Sequence, residues 1–219
     1  MDSTTLTDDA PTESARRQRT RARLLDAAFE VFADQGVSAA SVETIVEAAG
    51  FTRGAFYSNF STKEELFLAL IEREMGMRLE QLNAGVEQFL TPLVGDGGGL
   101  DDADVLRTIT RILELQSDDR RWWLVQAEFQ LMALRDHSIA AEYLRYYDEF
   151  FAELTEIVVQ ALQSAGRRFT IEPAEAVRVI AELCANGEAR AVLADDQRTF
   201  PERLSESVPA ILLALTERV

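Results

Sequence analysis

Apolar residues recur at helical spacing along nearly the whole chain, and this periodicity limits the fold more than any other feature. In the first such stretch, the residues that would share one helix face lie mostly three or four apart: Leu24, Leu25, Ala28, Phe29 and Phe32. Alternation of apolar and polar residues, the pattern of a half-buried strand, occurs nowhere over a useful length. The sequence therefore predicts an all-α protein.

Capping residues and chain breaks divide this pattern into separate helices. Ser41 and Thr52 suit helix N-caps. Thr62, with Glu65 three residues later, fits a capping box. Pro209 lies inside the last periodic stretch, so a kink or a later helix start is expected there. The expected helices cover residues 20–35, 41–49, 52–59, 63–90, 102–117, 120–136, 139–165, 173–194 and 202–218.

The charge of the chain is distributed unevenly. The net charge of −16 disfavours a general nucleic-acid coat protein. Residues 1–15 carry four acids and no base, and their polar composition predicts disorder. Residues 16–63 carry seven bases and five acids, so a small basic region precedes a large acidic one. The basic run RRQRTRAR is either a solvated arm or part of a DNA-binding surface.

The chain contains few of the residues that catalysis or metal binding would need. His137 is the single histidine and Cys184 the single cysteine, so a metal cluster or a histidine-based catalytic set is hard to build. We therefore expect neither an enzyme nor a cofactor. The first residues include no apolar signal segment, and no run of about 18 apolar residues occurs, which predicts a cytoplasmic protein.

Residues 52–59 are expected to form a short helix without a continuous apolar face. Only Phe56 and Phe60 are placed to hold it from inside, which leaves its other side chains facing outward. A short helix that follows a capped helix across a tight glycine turn indicates a helix-turn-helix, whose second helix enters the major groove of DNA. The alternative is a three-helix packing unit whose exposed helix has no function.

Four motifs in this region point to a known family. The chain reads F-x-x-x-G after the first helix, S-V-x-x-I in the second, A-G-x-x-x-G-x-x-Y-x-x-F across the turn, and then K-E-E-L. Over residues 20–66 it resembles the N-terminal domain of the tetracycline-repressor (TetR) family of bacterial transcription regulators. The resemblance implies a homodimer that binds a near-palindromic operator. It divides the chain into a disordered tail (1–15), a helix-turn-helix DNA-binding domain (16–62) and an effector-binding and dimerisation domain (63–219).

The resemblance also assigns roles to single residues of the first domain. Tyr57, Lys63 and Ser41 match positions that contact phosphate, and Asn59 stands where many members have histidine. Arg53 is the only outward side chain suited to bidentate contact with guanine. The expected DNA-binding residues are Arg19, Arg21, Ser41, Thr44, Thr52, Arg53, Gly54, Ala55, Tyr57, Ser58, Asn59 and Lys63.

The helix at 120–136 is apolar on nearly every side, which predicts burial by neighbours all round. Its aromatic residues and those of the next helix either form plain core or line a cavity for an apolar or aromatic ligand. A cationic ligand is a second option, because tyrosine and tryptophan faces attract cations. The resemblance implies an effector cavity here, with expected contacts from Trp122, Trp123, Gln126, Phe129, Met132, Tyr143, Tyr146, Tyr147 and Phe150.

The last two predicted helices each carry an apolar face, and a pair from each subunit would give a four-helix dimer interface. The glycine on the first of them would permit close helix approach. The expected interface residues are Val179, Ile180, Leu183, Gly187, Leu204, Val208, Ile211, Leu212 and Leu215.

The leading hypothesis is therefore a homodimeric, ligand-responsive repressor that releases its DNA operator on binding a small apolar or aromatic molecule. Its partners would be double-stranded DNA, that effector and a second copy, with no membrane. An activator is one alternative. A helical ligand-binding or interaction protein without operator regulation is another, but Arg53, Tyr57 and Lys63 disfavour it.

Overall fold

The computed structural model describes residues 13–94, 100–115, 120–204 and 207–219, and most of them are helical. A π-helical turn (Val86–Leu90) and a 3-10 turn (Thr91–Leu93) follow α4. None of the helices in these ranges is long and apolar enough to cross a membrane. The α-helices are α1 (Glu13–Gln35), α2 (Val42–Ala49), α3 (Arg53–Tyr57), α4 (Lys63–Gly85), α5 (Asp102–Glu114), α6 (Arg120–Arg135), α7 (His137–Ser164), α8 (Pro173–Leu193), α9 (Phe200–Leu204) and α10 (Ser207–Ala214).

The prediction of an all-α protein is confirmed, apart from one small sheet. Strands β1 (Arg167–Phe169) and β2 (Thr216–Arg218) pair antiparallel, with Phe169 opposite Thr216. Buried Arg167 joins them to α5, since its guanidinium donates to Thr216 Oγ1 at 3.0 Å and to Asp102 Oδ1 at 2.9 Å. Strands of three residues are too short for an alternating pattern to be recognised in the sequence.

The expected helix at 202–218 is helical over 202–204 and 207–214, and Thr216–Arg218 form β2 instead. Pro209 lies within α10, and residues 205–206 lie outside the described ranges, so the kink or later helix start expected at this proline stays a prediction. The expected helix from residue 63 to 90 is α-helical to Gly85 and continues as the π-helical turn to Leu90. Helix α1 begins at Glu13, so the prediction that residues 13–15 belong to a disordered tail is wrong, and the basic run is helical rather than a free arm. The rest of that tail, residues 1–12, lies outside the described ranges.

Contacts divide the chain into two compact units. The first, called the head below, ends at Ile71, and the second, called the body, is Glu72–Val219. The boundary falls within α4.

The head is built around a core of aromatic and aliphatic side chains. Phe32 of α1 meets Phe67 of α4 edge-on, with ring centroids 5.5 Å apart. Phe56 and Phe60 are 0% and 1% exposed, which confirms that they hold α3 from inside. Only one of the five side chains of α3 lies in this core, so the others are available at the surface.

Both predicted N-caps of the helix-turn-helix are present. Ser41 Oγ accepts from the Thr44 backbone N–H, and Thr52 Oγ1 accepts from that of Ala55. Gly50 ends α2 in the left-handed conformation, with φ at +69°, which glycine adopts without strain. Arg23 of α1 supports this turn by donating to the Ala49 carbonyl at 2.8 Å.

Lys63, the first residue of α4, closes the loop between α1 and α2. Its ammonium donates to the carbonyls of Val37 at 2.6 Å and Ala40 at 2.8 Å, and lies 3.5 Å from that of Ser38. Val37 and Ala40 are themselves buried, at 2% and 3% exposure. A single side chain therefore satisfies two carbonyls of a loop that carries no helical hydrogen-bond ladder.

We expect Lys63→Ala to lower the stability of the head by about 1–3 kcal/mol, because two carbonyls lose a charged donor. Thermal unfolding followed by circular dichroism measures this change. Arg19→Ala is the matched control, since it removes one positive charge from an exposed side chain of the same unit. Equal stability of the two variants would show that the Lys63 contacts contribute nothing.

Candidate nucleic-acid interface and ligand cavity

Helix α3 presents a mostly exposed polar surface. Arg53, Gly54, Tyr57 and Ser58 are exposed, as is its N-cap Thr52, and Ala55 is half-buried. A Cβ added at Gly54 would meet only Thr52 Oγ1, at 3.7 Å, so this point of the surface is open. The helix therefore offers a narrow, mostly uncharged face with one arginine, which suits insertion into a groove.

The guanidinium of Arg53 is held by two neighbours in the DNA-free head. Its Nη1 lies 2.7 Å from Glu43 Oε1 on α2, although both side chains are more than half exposed. A hydrogen bond to Tyr57, together with the Glu43 carboxylate, raises the pKa of Arg53. An exposed ion pair of this kind is weak, so it orients the arginine without fixing it. Glu43 is not among the residues predicted from the sequence, because its spacing from Arg53 gives no local signal.

Asn59 does not face outward, and that expectation was wrong. It is 8% exposed, and its Nδ2 donates to the Ala55 carbonyl at 2.8 Å and to Ser58 Oγ at 3.2 Å. Its Oδ1 is buried and has no hydrogen-bond partner in the described part of the chain. The reason is that α3 ends at Tyr57, and the chain then turns inward to bury Phe60.

Arg21 also makes contacts inside the head. Its guanidinium lies 4.2 Å from the centroid of the Phe60 ring and donates to the Asn59 carbonyl at 3.2 Å. Arg19, by contrast, is exposed. Ser41 and Thr44 are half-buried, and their hydroxyls are 2.8 Å apart. The phosphate-binding roles of these residues and of Lys63 stay predictions. The Lys63 ammonium already donates to the carbonyls of Val37 and Ala40 and has a longer contact to that of Ser38.

The body contains a cavity of about 730 Å³ between α4, α5, α6, α7, α8 and α10. Six of the nine expected ligand contacts line it: Trp122, Trp123, Gln126, Tyr143, Tyr147 and Phe150. Its volume lies in the range usual for small-molecule sites.

Three of the expected ligand contacts do not line this cavity. Phe129 is fully buried against Tyr143, with ring centroids 4.9 Å apart, and Tyr146 lies on its other side at 6.4 Å. Met132 is half-buried one turn further on. Phe129 and Tyr146 thus pack against each other between α6 and α7.

The polar side chains at the cavity include two stacked tyrosines. The rings of Tyr143 and Tyr147 lie 4.3 Å apart, and Gln126 Nε2 donates to the Tyr147 hydroxyl at 3.1 Å. Burial raises the pKa of both tyrosines, and the nearby Glu182 carboxylate raises it further. Both phenols therefore stay neutral at physiological pH.

Helix α6 is not buried all round, contrary to expectation. Leu131 is 40% exposed and Leu134 is 79% exposed, because no described element of the body covers this side of the helix. A helix can be apolar on all sides in sequence and still leave one side uncovered in a single chain.

The expected dimer residues fall into two groups. Val179 and Leu183 are about half exposed, and Ile180, Gly187, Ile211, Leu212 and Leu215 are half-buried. Leu204 and Val208 are only 6% and 8% exposed, so their assignment to an intermolecular surface was wrong. They pack within the chain: a Cβ added at Gly187 would lie 3.9 Å from Leu204 Cδ2, and both residues border a hollow beside α8. Leu212 lines the cavity.

Comparison with known proteins agrees with the head geometry. Residues 24–70 match the model of bacterial regulatory proteins of the tetR family. The chain is 40% identical over 74 residues to the transcriptional activator FasR of Mycolicibacterium smegmatis, covering 34% of this chain and 32% of that protein. It is 30% identical over 117 residues to the transcriptional repressor AcnR of Corynebacterium glutamicum, covering 53% and 59%. The aligned segments thus span less than two thirds of these relatives, which are transcriptional regulators and not enzymes.

Solved structures extend the likeness to the whole fold. The fatty acid degradation regulator FadR from Bacillus halodurans superposes with a TM-score of 0.68 at 18% identity, covering 89% of this chain and 94% of that one. FadR from Bacillus subtilis, in complex with stearoyl-CoA, gives 0.66 at 20% identity, covering 88% and 97%. With the motifs of the head and the caps of its helix-turn-helix, the match over residues 24–70 identifies this part of the chain as a DNA-binding domain of the tetR family of bacterial regulatory proteins.

Proposed function

We propose that this protein is a homodimeric DNA-binding transcriptional repressor that releases a near-palindromic operator when a small apolar or aromatic ligand enters the body cavity. The observation that carries the proposal is α3: it is polar and exposed, yet capped by Thr52 and anchored by two buried phenylalanines. The exposed side chains of α3 are not required for packing. A polar, exposed helix of this kind is suited to entering the major groove of DNA.

In this proposal Arg53 is the main reader of base identity. A guanidinium at the first residue of the recognition helix can bind guanine O6 and N7 at once. Tyr57, Ser58 and Thr52 supply contacts to phosphate or base edges, and Gly54 lets the backbone approach. The helix N-terminus at Ser41 adds N–H groups that favour phosphate. One arginine per subunit gives limited discrimination, so DNA shape and apolar contacts supply the rest.

The second copy is proposed to cover α8. Val179 and Leu183 lie one turn apart on it and are 48% and 51% exposed, so each exposes apolar surface to water in a single chain. A two-fold axis through this face would bring the same residues of both subunits together. Ile180, Ile211 and Leu215 are half-buried beside them and would complete the interface.

Regulation is proposed to work through a difference in ligand affinity between two arrangements of the dimer. A ligand that binds the DNA-incompetent arrangement more tightly lowers operator affinity, and a tenfold fall needs about 1.4 kcal/mol of coupling. Operator DNA must then weaken ligand binding by the same factor. Helix α4 continues from the head into the body and supplies Met75, Arg78 and Leu79 to the cavity lining, so it is the proposed link.

Repression is preferred to activation because α3 and the cavity suffice for binding and release of DNA, while activation also needs a contact with the transcription machinery. FasR is named as an activator and AcnR as a repressor, so both modes occur among the relatives. A regulator of chromosomal genes acts in the cytoplasm. Selecting genomic DNA fragments with the purified protein and sequencing them tests the proposal directly, and fragments without a shared two-fold motif would reject it.

We expect Arg53→Ala to weaken binding to the selected operator by about 1–3 kcal/mol and to relax the preference at one base pair in each half-site. The reason is the loss of the sole bidentate donor on α3. Binding to a series of single-base operator variants measures it. An unchanged preference at every position would contradict the assigned role.

Glu43→Gln should change DNA affinity in the opposite direction to Arg53→Ala. It removes the carboxylate that competes with phosphate for Arg53, so we expect tighter binding to random DNA and a steeper salt dependence, by about one unit per subunit. Glu47→Gln is the control, since Glu47 is exposed on the same helix and the described residues place it in no ion pair. If the two variants bind random DNA equally, the effect is one of net charge and the competition is absent.

Leu183→Glu is expected to yield a folded monomer that has lost most of its operator affinity. A carboxylate at this position would lie near its symmetry mate in an apolar interface, whereas in the monomer it is solvated. Sedimentation velocity and circular dichroism separate the two properties. Leu144→Glu, at a 59% exposed leucine of α7, should leave the dimer intact, and a dimeric Leu183→Glu protein would move the interface elsewhere.

A variant of α7 tests whether the cavity is the ligand site. Val158 lines the cavity from α7, so Val158→Phe should fill part of it and abolish release of DNA by any active ligand, while leaving operator affinity unchanged. Leu144→Phe, on the exposed side of the same helix, is its control. Release measured by fluorescence anisotropy of labelled operator distinguishes them. A Val158→Phe protein that releases DNA normally would mean that another site is used.

A further inference from the structure

The body cavity is long. On α7 alone, its lining residues run from Tyr143 to Leu162 and include at least one residue from each turn between them. At 1.5 Å per residue this stretch is about 28 Å long. A cavity of this length can hold an extended chain.

The end of the cavity near Leu162 is aliphatic. Leu90, Val105 and Ala165 line it and, with Leu100, form a buried hydrophobic cluster. Thr108 is close by on α5, and its hydroxyl donates to the Asp104 carbonyl at 2.8 Å. Among the described residues the lining at this end is thus mainly aliphatic, which favours an alkyl chain.

The end near Tyr143 has a different chemistry. The stacked rings of Tyr143 and Tyr147 and the side chain of Trp123 line it, so π-faces are abundant. Glu182 of α8 also lines the cavity, close enough for its carboxylate to act on both tyrosines. In the described part of the chain this carboxylate is in no ion pair. An aromatic surface beside an unpaired carboxylate attracts a cation.

Among the described residues that line the cavity, Arg78 is the only arginine, and it does not offset this charge. Arg78 stacks on Trp122 at 4.0 Å and donates to Glu74 Oε2 at 3.2 Å. Glu74 is 6% exposed, so withdrawing Arg78 to bind a ligand anion would weaken the pairing of a buried carboxylate. An anionic head group would thus gain little from Arg78 and would be repelled by Glu182.

We propose that the ligand of this cavity is an elongated cationic amphiphile. Its alkyl chain lies along α7 towards Leu162, and its ammonium group sits among Tyr143, Tyr147 and Glu182. This inference rests on the ligand-regulated function proposed above and narrows its ligand to one chemical class.

The test uses three probes of equal chain length: decyltrimethylammonium, decanol and decanoate, each below its micelle concentration. Binding to the full chain without DNA is followed by intrinsic fluorescence, since both tryptophans of the chain, Trp122 and Trp123, line the cavity. We expect the ammonium to bind about tenfold more tightly than decanol, and decanoate to bind more weakly than both. Affinity should rise about fourfold per added methylene over a short homologous series. Circular dichroism shows that the protein stays folded.

Glu182→Gln tests the head-group assignment. It should lower affinity for the ammonium about tenfold and leave affinity for decanol unchanged, whereas Glu175→Gln, at an exposed acid of the same helix outside the cavity, should change neither. Equal effects of the two variants, or decanoate binding as tightly as the ammonium, would overturn the proposal. Weak binding of all three probes would overturn it too.

Operator release is measured separately, so that the two proposals fail in different ways. An ammonium probe that binds as expected but leaves labelled operator bound supports the cavity chemistry and rejects ligand-driven release. Release that is equally strong with decanol and decanoate rejects the cationic head group and leaves the regulatory function standing.

Discussion

The burial of Phe56 and Phe60 is the contact on which the DNA-facing surface depends. A helix of five residues is far too short to be stable alone, so α3 exists only because its neighbours hold it. Both rings are almost completely excluded from water, and Arg21 covers Phe60 from the α1 side at 4.2 Å. Because these two side chains supply the packing, the other side chains of α3 are not needed to hold the helix in place. The helix can carry arginine, glycine and tyrosine at the surface because none of them has to hold it in place.

The head was largely predictable because its determinants are local. Ser41, Thr52 and Gly50 act on helix ends within four residues of themselves, so these caps can be recognised directly in the sequence. The contacts that the sequence does not reveal are those with remote partners. Arg21 and Lys63 donate to backbone carbonyls 23 to 38 residues away, and a carbonyl acceptor leaves no mark in the sequence. Asn59 was misjudged for a related reason, since the inward turn after Tyr57 is set by where Phe60 must go.

The body shows the opposite balance. The existence of α6, α7 and α8 follows from periodicity, but an apolar side chain looks the same whether it faces a core, a cavity or a second chain. Phe129 and Trp122 sit on one helix, yet the first is packed against tyrosines and the second lines the cavity. Leu204 and Val208 were assigned to a dimer surface and instead pack on α8. Only the three-dimensional structure distinguishes core, cavity and interface positions. The role of a polar residue such as Glu182 likewise depends on the neighbours that the fold places beside it.

The lysine that closes the loop between α1 and α2 is also the only lysine in the chain. An amine-directed reagent therefore has one side-chain target, and that target is occupied by the carbonyls of Val37 and Ala40 whenever the head is closed. Its rate of labelling reports local opening at a single place in the molecule, without mutation and without a probe attached elsewhere. Because the chain has one lysine, acylation of its side-chain amine is also selective. Neutralising this one nitrogen would remove the donors of the loop and leave every arginine charged.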